Sequence, residues 1–214
     1  MEPPAPFPLY EASFALACLL LALSLRPWHM LRGSGQALLT PLLASLAVLP
    51  WLWALPRLHQ MPMQLPWSGA CLVLLMLGWP LAVPTLVLVA LAALWLTGAG
   101  WQEGLDMLVW QGLLPATFAV LIGAAIRRML GTHLFVYVIG RCFLGTVLSL
   151  FLGSLWAYAQ GRRLAGVEGS LSLVGHWLTA WGDGFVTGML CAVFVAFRPQ
   201  WLATWSDRFI APAR

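Results

Sequence analysis

Apolar runs separated by short polar joints fill almost the whole chain. The first runs from about Leu9 to Leu25 and stops at Arg26-Pro27, where a charge and a missing amide hydrogen both discourage continuation. A second covers about Gln36 to Leu55, with Pro41 and Pro50 as bend points, and ends at Pro56-Arg57. Trp67 to Leu96 is thirty residues long, too many for one straight spanning helix and few for two. Gly78, Pro80 and Pro84 interrupt it, so the pattern predicts two short spans joined by a turn near Trp79 to Val83 and leaves open whether they cross fully or turn back. After a joint with Glu103 and Asp106, a fifth span runs from about Leu108 to Ile126, a sixth from about His133 to Ala157, and a seventh from about Leu171 to Phe197.

Each full run is near the roughly 20 apolar residues that a helix needs to cross a hydrocarbon core. Alternation of the kind a membrane β-barrel requires is missing from Leu72 to Leu77 and from Thr85 to Leu96, which are apolar on every face. The expected fold class is therefore an all-α polytopic membrane protein of about seven transmembrane helices, the third and fourth short. Residues 1–198 form its single transmembrane domain. The remaining stretch, 199–214, places Trp201, Trp205 and Phe209 on one helical face, the pattern of an amphipathic interfacial tail.

Composition agrees: 61% of the 214 residues are hydrophobic and 8% charged, against about 25% charged in soluble domains. Charge placement then selects the topology, because cytoplasmic joints retain excess positive charge. Seven spans with an external amino terminus put seven arginines (26, 32, 127, 128, 198, 208 and 214) inside and Arg57, Arg162 and Arg163 outside. Merging residues 67–96 into one span lowers the score to six against four. The expected location is the inner membrane, with the carboxyl terminus cytoplasmic. Arginines scattered over joints, without a basic face, argue against a nucleic-acid partner. Tryptophans near span ends, among them Trp28, Trp53, Trp67, Trp110, Trp156 and Trp177, read as interfacial anchors.

Two ionisable groups fall deep inside spans, Arg141 in the sixth and Asp183 in the seventh. A charge at mid-bilayer costs about 2.5–3.5 kcal/mol on insertion scales, so both are functional candidates, and a buried Arg141–Asp183 pair is expected. Asp183 lies within Trp181-Gly182-Asp183-Gly184-Phe185-Val186-Thr187-Gly188. Glycines 182 and 184 flanking an acid loosen a helix and free carbonyls for a mid-membrane site, to which Thr187 and His176 are added as polar candidates. Gly184 and Gly188 also form a small-residue packing pair, and Gly145, Ser149 and Gly153 form a second stripe.

His29, His59, His133 and His176 show no ligand spacing among themselves or with cysteine, so the metal ligands are unknown, although Met189 and Cys191 are soft groups near Asp183. The four cysteines sit in apolar runs without CxxC spacing and read as buried and reduced. No hydrolase, metalloprotease or phosphate-loop motif is present, no resident cofactor is expected, and the chain is not expected to be an enzyme.

Leu77-Gly78-Trp79-Pro80-Leu81-Ala82 and the closing Asp183-Gly184, Thr187 and Arg198-Pro199 carry a family resemblance. In these motifs, and in span number and length, the chain resembles the integral-membrane component of energy-coupling factor transporters, in their cobalt and nickel (CbiM-like) branch. The resemblance implies a substrate-binding permease subunit of an ABC-type uptake system, with a transition-metal cation as cargo. It also implies a transmembrane adaptor and cytoplasmic ATPase subunits as partners, with the small-residue stripes as docking faces. The family's metal-binding histidines have no counterpart here: Glu2-Pro3 follow Met1, and Trp67-Ser68-Gly69-Ala70 occupies the second position. The alternative reading is a non-transporting scaffold or assembly partner of another membrane complex.

Overall fold

The computed structural model describes residues 7–33, 37–59, 67–131, 133–161 and 169–205. These form an all-α bundle of α1 (Phe7–Ser24), α2 (Trp28–Gly33), α3 (Leu39–Leu58), α4 (Ala70–Leu77), α5 (Trp79–Thr97), α6 (Trp101–Leu130), α7 (Val136–Ala159) and α8 (Gly169–Phe197). Helices α3, α5, α6, α7 and α8 are long and apolar enough to cross a bilayer, and α1 adds a shorter apolar stretch, Leu9–Ser24. The protein is a multi-span helical bundle.

Wide hydrogen-bonded turns occur at two places: Met107–Leu113 within α6 and Val136–Leu144 at the start of α7 are π-helical. Prolines 50 and 56 lie inside α3 and Pro84 inside α5. Neighbouring helices and local adjustments make such residues tolerable in membrane helices.

Helix α4 is the centre of the bundle. All eight of its residues are buried, and it packs on α3, α5, α6, α7 and α8. At 1.5 Å per residue it is only about 12 Å long, less than half of a hydrocarbon core. Glycines in positive-φ conformations bound it, Gly69 at φ 61° and Gly78 at φ 74°. The positive φ of Gly69 favours glycine there, and a Cβ would also meet Leu49 Cδ1 at 2.8 Å and push that side chain aside.

The helix at the position expected for a short third span has eight residues, whereas the one expected to be a short fourth is not short. The chain turns at Gly78, and Trp79–Thr97 is one 19-residue helix with Pro80 in its first turn. Proline is pre-organised there because its missing N–H would be unsatisfied anyway. The 79–83 turn of the sequence reading is corrected to the single residue before it.

The tail also differs. Pro199–Trp201 is one 3₁₀ turn, and Leu202, Ala203 and Thr204 are buried rather than lying on a surface as part of an amphipathic helix. Ala203 N–H donates to Met76 O at 3.0 Å, Thr204 N–H to Leu75 O at 3.3 Å, and Thr204 Oγ1 to Leu75 O at 2.8 Å. The last carbonyls of α4 have no intrahelical donor, and this segment satisfies them. Phe209 and the rest of 206–214 lie outside the described residues. Of the expected anchors, Trp28 and Trp156 are exposed, whereas Trp53 is 2% exposed and belongs to the core. Gly112 makes space for it, since a Cβ there would lie 2.9 Å from Trp53 Cη2. The four cysteines are buried and form no disulfide with one another.

The small-residue stripes are consumed inside the chain. A Cβ at Gly184 would lie 2.5 Å from Val147 Cγ2, and one at Gly188 would lie 3.1 Å from Phe143 Cβ, so α8 presses its glycines onto α7. Gly145 faces Ile122 and Ile126 of α6, Gly153 faces Pro115, and Ser149 is buried with its hydroxyl on Gly145 O. Close backbone approach of this kind is what small residues supply between membrane helices.

Leucine at Gly184 is expected to cost about 1–3 kcal/mol through overpacking. Alanine at Gly182, where a Cβ meets nothing within 4 Å, should leave stability unchanged or slightly raised. Melting temperatures of the two purified variants in detergent check this pair, and an equal drop in both would contradict the packing described.

Candidate functional site

Asp183 stands at the middle of α8 and is 1% exposed. Its Oδ2 accepts two backbone N–H groups, from Ser68 and Gly69, each at 3.0 Å. Thr187, one turn along α8, donates its hydroxyl to Oδ1 at 3.2 Å. The carboxylate therefore lies at the amino-terminal end of α4, where free N–H groups and the helix dipole favour negative charge.

The three residues before α4 are held on every side. Gln111 Nε2 donates to Trp67 O at 2.8 Å, and Ser68 Oγ donates to Gln111 O at 2.6 Å. Trp53 Nε1 donates to Ser68 O at 2.9 Å, Ala70 N–H donates to Ser68 Oγ at 3.2 Å, and Val73 N–H returns to Gly69 O at 3.1 Å. Four elements, α3, α4, α6 and α8, meet in this network. It meets the requirement that non-helical backbone deep in a membrane protein be enclosed by protein donors and acceptors.

Arg141 does not join it. Its Nη1 donates to Thr204 O at 3.3 Å, and its guanidinium lies 5.9 Å from the centre of the Tyr137 ring. The Tyr137 hydroxyl shares a 2.8 Å bond with Thr204 Oγ1. Gly123 of α6 provides room for the arginine, because a Cβ there would lie 2.7 Å from Nε. The expected Arg141–Asp183 pair is replaced by two separate arrangements at the two ends of α4. The amide groups of Ser68 and Gly69, just before α4, satisfy the acid, and the arginine side chain turns to Thr204 and Tyr137 instead. An ion pair forms instead between Arg57 and Glu103, which ties the end of α3 to the start of α6.

Of the other polar candidates, Thr187 is brought to Asp183, Gly182 borders open space, and Gly184 serves packing. His176 is half-buried two turns earlier on α8, a rise of about 10 Å from Asp183. Among the described residues no group of three or more His, Cys, Asp or Glu side chains could hold a metal ion. The residues of this network that the sequence did not single out as site candidates are Trp53, Ser68, Gly69 and Gln111. Ser68-Gly69 ahead of the apolar Ala70–Leu77 run has the form of a helix start, which is a usable signal. Nothing in the sequence joins Gln111 or Trp53 to it.

The chain matches no protein-family model, no curated protein and no solved structure.

Replacing Asp183 by alanine orphans two buried N–H groups, each costing about 1–3 kcal/mol, and should loosen the first turn of α4. Cys71, 1% exposed in that turn, reports on it. In a background lacking the other three cysteines, Cys71 should resist a membrane-permeant maleimide when Asp183 is present and react in Asp183→Ala. Equal reactivity in both would show that Asp183 does not hold the half-helix.

Proposed function

We propose that the chain is the substrate-binding membrane subunit, or permease, of an energy-coupling factor uptake system in an inner membrane. The observation that carries this reading is the half-helix α4, bounded by two positive-φ glycines and fixed at mid-bundle by Asp183. Transporters build their sites from discontinuous helices of this kind, whose free termini face the middle of the membrane. The motifs in the sequence that resemble the cobalt and nickel branch of that family include Gly78 and Asp183-Gly184, the residues that form this break.

In this reading the chain traverses the bilayer seven times, through α1, α3, the segment that ends in α4, α5, α6, α7 and α8. The excess of arginine at the α2 end of the bundle makes that end cytoplasmic and the amino terminus external. ATP hydrolysis belongs to separate cytoplasmic subunits, coupled through a transmembrane adaptor. The stripes at Gly184 and Gly145 are filled by α6 and α7, so adaptor docking falls to other faces. A small solute is the cargo. A transition-metal cation is the class the resemblance implies, although no ligand cluster stands among the described residues.

The scaffold reading is favoured by one observation. Both oxygens of Asp183 are engaged by donors from within the chain, which is what a purely architectural acid would show.

Orientation is checked with single cysteines labelled in intact cells. Gly100→Cys, between α5 and α6, should react with an impermeant maleimide, and Met129→Cys, 82% exposed at the far end of α6, should react only after permeabilisation. The reverse pattern inverts the topology. Function is checked by tagging the chain, identifying co-purified ATPase subunits, and measuring metal-cation uptake at matched expression. An associated ATPase and reduced uptake by Asp183→Asn are expected; no ATPase and unchanged uptake would leave the scaffold reading standing.

A further inference from the structure

Helices α7 and α8 run antiparallel in close contact, and two glycines set their register: Gly184 lies against Val147 and Gly188 against Phe143. One turn beyond Gly188 on α8 comes Cys191, and one residue before Phe143 on α7 comes Cys142. The same register brings the two thiols into hydrogen-bonding contact. Both cysteines are 0% exposed. Cys191 stands six residues before the end of α8, about 9 Å into the bundle at 1.5 Å per residue.

Arg141 adjoins Cys142 and is close enough to act electrostatically on Cys191. Its guanidinium reaches a carbonyl and a ring, its Nε is buried without a hydrogen-bond partner, and no carboxylate among the described residues pairs with it. A buried cation without an anion is costly. The two thiols are the neighbours that can become negative. Tyr137, 6% exposed, stands near both of them, and its ring packs on Trp205 with centroids 4.8 Å apart, an aromatic cover that keeps water from the pair.

We propose that Cys142 and Cys191 form a two-coordinate site for a soft monovalent metal cation, with copper(I) as the type. Thiolate is the ligand that selects such ions. The ion displaces both thiol protons to water and leaves a metal bis-thiolate of net charge −1, which Arg141 balances. A divalent ion held the same way would give a neutral complex and leave the arginine uncompensated. Zinc takes four ligands, and calcium and magnesium take oxygen. No third His, Cys, Asp or Glu side chain joins the pair among the described residues, which suits an ion satisfied by two thiolates.

The proposal goes beyond the permease reading and stands without it, because binding requires neither ATPase nor uptake. Cys191 lies eight residues from Asp183 on α8, a rise of about 12 Å, so the site is separate from the network that holds α4.

The test uses the purified, reduced full chain in nanodiscs without oxygen, titrated with copper(I) held in a bicinchoninate buffer. One tightly held copper per chain is expected, with two sulfur ligands by X-ray absorption. Cys142→Ser and Cys191→Ser should each weaken binding by more than about a hundredfold, beyond the roughly 10–100-fold that changes outside the ligand set cost. Arg141→Met should weaken it within about that 10–100-fold range, and Arg141→Lys should recover part of the loss. Cys18→Ser should bind as wild type does, and excess zinc should not displace the copper. Absence of stoichiometric binding by wild type overturns the proposal. So does retention of copper by a folded Cys142→Ser or Cys191→Ser variant, and so do displacement by zinc or ligands other than sulfur in the spectrum. Isolation of the pair as a disulfide that dithiothreitol does not open would make it a structural bridge and would equally overturn the site. Circular dichroism and melting of each variant, with alanine as the second replacement at either cysteine, separate loss of binding from loss of fold.

Discussion

Inside a bilayer no water stands by to satisfy a backbone amide, and the architecture is organised around a place where this chain leaves the helix deep in the bundle. Residues 67–69 enter the bundle without helical hydrogen bonds and then start α4. Their backbone polar groups need partners from elsewhere, and four helices contribute them. The Asp183 carboxylate takes two of the N–H groups, and Trp53, Gln111 and Ser68 account for most of the rest. A charge that is costly in hydrocarbon and a helix terminus that is costly in hydrocarbon offset one another.

The requirement propagates outward as packing. Trp53 can reach Ser68 O because Gly112 leaves space for its ring, and α8 can bring Asp183 to the centre because Gly184 and Gly188 let it lie against Val147 and Phe143. The far end of α4 presents the opposite problem, free carbonyls, which the 202–204 segment solves with donors from Ala203 and Thr204. Arg141 and Tyr137 then brace that segment. Both ends of a helix too short to span the membrane are thus finished by distant parts of the chain.

The π-helical turns serve this arrangement. In α6, consecutive residues face two different tasks: Trp110 turns toward Glu11 of α1, and Gln111 turns toward Trp67 and Ser68. Widened turns of this sort occur often at functional sites. In α7 the π-helical start carries Tyr137, Arg141 and Phe143, which meet the 202–204 segment and the glycines of α8.

Much of the outline was legible in the sequence. Apolar length and scarcity of charge are one-dimensional properties, and they determined an all-α membrane bundle, the approximate bounds of α1, α3, α6, α7 and α8, and the anomaly between Trp67 and Leu96. The glycine pairs announced close helix contacts for the same reason, since small side chains permit them wherever they fall. Which partner each residue would meet was not legible. Arg141 and Asp183 are opposite charges on consecutive helices, and the sequence alone favours pairing them; only the fold brings in the start of α4, where the amides of Ser68 and Gly69 reach the acid. Trp53 read as an anchor and became core, and Trp201 to Trp205 read as a surface helix and became a cap on α4. In each case the deciding term was the need of a buried backbone group for a partner, and that depends on which segments the fold brings together, not on the order in which they occur along the chain.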